Sequence, residues 1–184
     1  MSLCNSRRRA IALGLGVLGA ATLAGVPWTR SAAAESPRQR SLELKNLHTG
    51  EVLQVTFDHE AGPDPATLAK LQHFLRDYRV NEEHAMDPAL FSLLSDLAIS
   101  AGKDARYEVI SGYRSPGTNA RLHAEGHGVA EHSLHMEGRA IDVRLPGFPT
   151  HKLRDLGHAL RRGGVGYYPA SDFVHLDTGR VRFW

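Results

Sequence analysis

Apolar and polar positions alternate at Leu42-Glu43-Leu44 and again across residues 52–57, on either side of His48-Thr49-Gly50. A period of two marks strands with one buried face, and the glycine-containing break between them predicts a hairpin with His48 in its turn. The period then changes. Asp64-Pro65 reads as an N-cap followed by proline at the first helical position, and Leu68, Leu71, Phe74, Leu75 and Tyr78 recur at helical spacing. Asp87-Pro88 repeats the device ahead of Leu90, Leu93, Leu94 and Leu97, in a helix that ends before Gly102. Both stripes are expected to face a core.

The second half shifts back and forth between the two periods. Residues 107–110 form a strand candidate that runs into Ser111-Gly112-Tyr113-Arg114, and residues 119–124 a short helix carrying His123. Ile141, Val143 and Leu145 alternate with Asp142 and Arg144, which predicts another half-buried strand. After the loop at 146–149, Thr150 is expected to cap a helix bearing Leu153, Leu156, Ala159 and Leu160, stopped by Gly163-Gly164. Strands are expected at 165–168, at 173–177 and around Arg180, Arg182 and Trp184. The resulting fold class is α+β, a mainly antiparallel sheet with helices packed on one face and a functional site on the other.

Composition and charge change this picture at the N-terminus. Ser6-Arg7-Arg8-Arg9 precedes an apolar run over residues 10–26, and Ala32-Ala33-Ala34 supplies the small residues of a signal-peptidase site. Residues 1–34 therefore read as a signal peptide, of Tat type from the arginine pair, and residues 35–40 as a linker to one domain over 41–184. The expected location is the periplasm, with no integral membrane association once the leader is cleaved, and a monomer is expected. The whole chain has 22 basic and 20 acidic residues. Removing the four leader arginines leaves 18 against 20, a formal −2, so the charge gives no reason to expect a nucleic acid partner. The single cysteine, Cys4, belongs to the leader, so any metal ligands of the domain are nitrogen and oxygen.

The chemistry gathers around residues 133–142. On its strand Asp142 points away from Ile141 and Val143, and Ala140, its neighbour on that face, leaves room beside the carboxylate. Gly138 permits a turn that folds His135 back toward Asp142. Downstream, His175 and Asp177 share one face of the 173–177 strand, and pairing that strand with the Asp142 strand sets an imidazole against the carboxylate. His135, Asp142 and His175 make a two-histidine, one-carboxylate set suited to zinc, with a fourth position left for water.

These residues resemble the zinc D-Ala-D-Ala metallopeptidase family of the lysostaphin and hedgehog group. The pattern Ser-x-His-x-x-Gly-x-Ala-x-Asp runs unbroken over residues 133–142, with His175 as the matching third ligand. Ser111-Gly112-Tyr113-Arg114-Ser115 and Gly164-Val165-Gly166-Tyr167-Tyr168-Pro169 are more similar to its MepK-type murein endopeptidase branch. The resemblance implies Zn2+ as cofactor, peptidoglycan peptides as substrate and hydrolysis by activated water, with carboxypeptidase trimming or zinc-dependent wall binding as alternatives. It implies that Arg114 stabilises an oxyanion or a substrate carboxylate, and that Ser133 and Tyr168 contact substrate. Asp172, three residues before His175, and Asp177, two after it, compete as general base. Strand geometry and the closer branch favour Asp177, and either could instead hold the His175 ring. Glu137 is a weaker candidate. The histidines at 123, 127 and 132 are expected in substrate-loop or solvent roles, and those at 151 and 158 in structural or solvated ones.

Overall fold

A computed structural model describes residues 38–126 and 129–184. The leader and residues 35–37 of the linker lie outside the described residues, as does His127. Among the described residues no helix is long and apolar enough to cross a membrane.

The hairpin forms where the alternation places it, β1 (Gln39–Asn46) antiparallel to β2 (Val52–Asp58). It starts earlier than the linker reading allows, because Gln39 and Arg40 pair with Asp58 and Phe57. His48 stacks on Tyr78 at 4.6 Å beside the turn. Asp64 caps α1 (Pro65–Phe74) through hydrogen bonds accepted from the Ala66 and Thr67 amides. Tyr78 lies past the end of that helix. Asp87 accepts from Ala89 N at the start of α2 (Ala89–Ser100), and Gly102 follows in the left-handed region.

β3 (Arg106–Ser111) leads through Ser115, whose hydroxyl accepts from Thr118 N, into α3 (Pro116–Ala124), which begins three residues earlier than expected. A 3-10 turn, Leu134–Glu137, precedes β4 (Ala140–Arg144). α4 (Thr150–Leu160) is not capped by Thr150. Thr150 sits inside the first turn and donates to Asp172 Oδ1 at 2.9 Å, while Pro149 occupies the cap position. The chain closes with β5 (Gly164–Tyr168), β6 (Phe173–Asp177) and β7 (Arg182–Phe183).

The seven strands of the described residues form one sheet in the order β2-β1-β3-β4-β6-β5-β7. The expectation of a mainly antiparallel sheet needs correction at two seams, since β1 pairs with β3 and β5 with β7 in parallel. The first follows from the long excursion through β2, α1 and α2, which returns the chain to β1 in the same direction; alternation alone does not reveal a strand's partner. Leu42, Leu44, Tyr107, Val109, Ile141, Val143, Val174 and Leu176 belong to one buried core with Leu94, Leu97 and Leu153 of the helices. Tyr107 donates to the Leu94 carbonyl at 2.8 Å, joining the sheet to α2. Gly157 lets α4 approach β5 and β6 closely, since a Cβ there would meet Val165 at 3.1 Å.

Candidate metal centre

The central pair of strands sets the site. β4 and β6 run antiparallel with Asp142 directly opposite His175, and β5 brings Gly166 opposite His175 on the other side. Because side chains alternate across a strand, burying Ile141, Val143, Val174 and Leu176 in the core sends Asp142, His175 and Asp177 to the opposite face. His135 arrives from the 3-10 turn, which Ser133 opens by accepting from His135 N and Gly138 closes at φ 65°. Only glycine fits there: a Cβ on Gly138 would lie 1.9 Å from the Ala85 carbonyl oxygen.

Three atoms converge. His135 Nε2 lies 3.3 Å from Asp142 Oδ1 and 3.1 Å from His175 Nδ1, and His175 Nδ1 is 2.9 Å from the same Asp142 oxygen. All three residues are buried. The opposite edge of each imidazole is already engaged. His135 Nδ1 lies 2.7 Å from the Gly112 carbonyl, which can only accept, so that nitrogen carries the proton. His175 Nε2 donates to Asp177 Oδ2 at 3.1 Å. The inner ring nitrogens and a carboxylate oxygen therefore face one point, a donor set that can hold a cation once His175 Nδ1 has given up its proton. Ligands about 2.0–2.2 Å from a tetrahedral ion stand roughly 3.4 Å apart, close to the observed separations, and the donor set suits zinc.

Electrostatics favour a cation at the same point. Burial raises the Asp142 carboxyl, but the two histidines outweigh it and hold the group far below the usual carboxylate range. Without metal, burial alone would lower the His175 imidazole; hydrogen bonds to Asp142 and Asp177 reverse this and push it up to about 9.

Asp177 is fully buried, and donors fill both of its oxygens. Oδ1 accepts from Gly164 N, Gly179 N and Arg182 Nη1, and Oδ2 from His175 Nε2, with Arg182 Nη2 at 2.8 Å. Burial pushes this carboxyl up, and those donors bring it well below its ordinary value. Asp172 points elsewhere: at φ 51° its carboxylate is held by Thr150 and lies 3.5 Å from Arg144. Glu137 is paired with Arg139 at 3.2 Å near the surface.

Arg114 is not a surface arginine. It is buried beside the three converging groups, donating to Asn119 Oδ1 and Ser111 Oγ, with Nη2 3.9 Å from Asp142 Oδ2 and a buried Nε that has no partner. Its amide donates to the His135 carbonyl at 3.2 Å. Burial lowers its guanidinium from its ordinary value, against the attraction of Asp142. Asp77, itself buried, fixes this loop by accepting from both the amide and hydroxyl of Ser115. A cleft of about 420 Å³ opens over the site, with Arg114, Ser133 and His132 among its lining and Tyr168, Phe173 and Trp184 completing it. His123 is held to the Val129 carbonyl, His151 is exposed and the His158 ring lies tilted against Phe183 at 4.0 Å.

Sequence reasoning missed Gly112, Arg182 and Trp184. Gly112 supplies the carbonyl that fixes His135, and its lack of a side chain is required because a Cβ would lie 2.6 Å from the Leu75 carbonyl oxygen. For the other two there was a signal, Gly164-x-Gly166 in β5 and Arg182-x-Trp184 near the end. The matched spacing lets the two large side chains lie over the two glycines, where Cβ atoms would come within 2.6 Å of each.

A sheet presenting a buried two-histidine, one-carboxylate centre on one face, with an open cleft above it, has the architecture of a metallopeptidase. The M15 peptidase family model described as peptidoglycan L,D-endopeptidase MepK matches residues 33–184. The chain is 45% identical over 179 residues to the peptidoglycan L,D-endopeptidase MepK of Escherichia coli K12, covering 97% of each chain, and equally so to that of Shigella flexneri. It is 43% identical over 175 residues to the probable peptidoglycan L,D-endopeptidase MepK of Haemophilus influenzae, covering 95% of this chain and 90% of the relative. The chain belongs to the MepK family of M15 peptidases.

Proposed function

We propose that the protein is a zinc-dependent murein endopeptidase that hydrolyses L,D peptide bonds in peptidoglycan cross-links, acting in the periplasm after export through its Tat-type leader. The observation that carries the reading is the convergence of His135 Nε2, Asp142 Oδ1 and His175 Nδ1, with the far nitrogen of each ring already committed. The names of the relatives supply the substrate class.

His135, Asp142 and His175 would hold the ion. Zinc bound there would polarise the scissile carbonyl and lower the pKa of a water molecule so that it attacks at neutral pH. The remaining work falls to the protein. Arg114, fixed by Asn119 and Ser111 with an unpartnered Nε, is suited to donate to the oxyanion as it develops or to a substrate carboxylate. Ser133 and Tyr168 line the cleft as substrate contacts. Asp177, buried and saturated with donors, is assigned to holding the His175 ring and its tautomer and not to receiving the proton of the attacking water.

The test is digestion of a purified muropeptide dimer joined by an L,D cross-link, with and without a chelator, with products identified by mass. Conversion to the two monomers, lost with chelator and restored by zinc, supports the reading. Release of only a terminal D-alanine would make the protein a carboxypeptidase, and retention of intact dimer by the metal-loaded protein would make it a wall-binding module.

A further inference from the structure

Reading the sheet from β3 to β5 sets the two sides of the cleft apart. Arg114 extends from the end of β3, Asp142 and His175 lie on β4 and β6 with His135 reaching them from the 3-10 turn, and Gly166 and Tyr168 lie on β5 with Trp184 just past β7. One side is polar and cationic. The other is an aromatic wall: the Trp184 ring stands 5.2 Å from the His175 ring, its Nε1 donates to the Tyr168 hydroxyl at 3.0 Å, and Tyr168 stacks on Phe173 at 4.6 Å.

Several independent features hold the indole in this position. The ring lies directly over Gly166, where a Cβ would come 2.6 Å from an indole carbon. The Trp184 backbone is tied to β5 on both sides, its amide donating to the Val165 carbonyl and its carbonyl accepting from Tyr167 N. Arg182 stacks on the ring at 4.9 Å while its guanidinium is held by Asp177. Despite this, Trp184 remains 50% exposed, an anchored aromatic surface facing the cleft. A fold that spends two glycines, a buried aspartate and an arginine to hold a half-exposed indole beside a metal ligand is keeping that surface for something that binds.

We infer that Trp184 is a substrate-binding residue, whose indole, with Tyr168, packs against the aliphatic portion of the residue flanking the scissile bond while Arg114 faces the polar end across the cleft. This rests on the hydrolase reading for its substrate. A bare metal site would act on many peptides; the wall opposite Arg114 selects one with an extended aliphatic chain beside a carboxylate or oxyanion.

The experiment has two arms. In the first, Trp184→Ala and Gly166→Ala are compared with the wild-type chain on the L,D cross-linked dimer; the second variant keeps the indole and forces it off its seat. Both should raise KM on the order of tenfold, as loss of an aromatic anchor does, with kcat changed much less and with bound zinc unchanged. In the second, the full chain carrying Trp28→Phe, which leaves Trp184 as the sole indole, is treated with chelator and titrated with the same dimer while tryptophan emission is followed. A saturable shift, absent with an uncross-linked sugar fragment, is expected. An unchanged KM in both variants, loss of zinc in Trp184→Ala, or a flat emission titration would overturn the assignment. If the wild-type chain leaves the dimer intact, the hydrolase reading fails on its own, and the emission arm still reports whether the indole meets the peptide.

Discussion

Asp177 follows His175 by two residues on β6, and its Oδ2 accepts the His175 Nε2 proton at 3.1 Å while being fully buried. Since the two side chains share one face of a strand, the carboxylate fixes the ring so that Nδ1 points at Asp142 and His135. Partners of this kind orient a ligand, and their loss typically costs about 10–100-fold in metal affinity. Asp177→Asn is therefore expected to weaken zinc binding by about that factor, measured by competition with a chromogenic chelator, and to lose activity in proportion. A variant that keeps full zinc affinity and loses turnover would instead make Asp177 the proton acceptor.

Asp172 stands on the other side of the comparison. Its carboxylate is engaged with Thr150 at the start of α4 and is mostly exposed, so Asp172→Ala should keep kcat/KM within about twofold. A drop of a hundredfold or more, read on the same muropeptide, would return it to the catalytic machinery.

The raised His175 imidazole makes metal uptake a proton exchange. In the metal-free protein its pKa is lifted from 6.5 to about 9, so the stability it contributes is complete below 6.5 and is lost as pH rises through 9. Coordination requires the unprotonated Nδ1. At pH 7 zinc binding is expected to release about one proton, and apparent affinity to increase with pH until about 9. Calorimetric titration in buffers of different ionisation enthalpy measures this directly; uptake without proton release would contradict it.

Gly138 combines φ 65° with a carbonyl oxygen 1.9 Å from where a Cβ would sit. Gly138→Ala should cost about 3 kcal/mol or more in urea denaturation, from backbone strain together with the clash. It should also displace His135, so zinc affinity falls further than in a surface variant of equal stability loss.

Asp77 connects stability to the position of Arg114. Burial raises its carboxyl, the Ser115 donors and their neighbours more than offset that, and the net shift is downward, so its contribution is present above about pH 3.9 and is lost as pH falls through the depressed value. Asp77→Ala leaves the buried Ser115 amide unpaired, at a cost of about 1–3 kcal/mol. Because the same segment carries Arg114, kcat/KM on the cross-linked dimer should fall with bound zinc unchanged.

Local pattern fixed most elements. The Asp64 cap, the proline starts, the leucine stripes and the alternation at Ile141 to Leu145 each depend on a few neighbouring residues, and the 3.6 and 2.0 periods follow from backbone geometry alone. The same alternation put Asp142, His175 and Asp177 on the face away from the core, and Gly138 signalled the turn that returns His135. What the sequence could not contain was distance. The β4 to β6 register that sets Asp142 against His175, the parallel seams, and the Gly112 carbonyl behind His135 arise from contacts between segments far apart in the chain. The roles of Asp172 and Asp177 were undecided for the same reason: spacing gives a residue's face and not its partners. Only the folded sheet, by carrying Gly164 and Gly166 beneath Arg182 and Trp184, surrounded Asp177 with donors, turned Asp172 toward α4 and brought an indole to the side of His175.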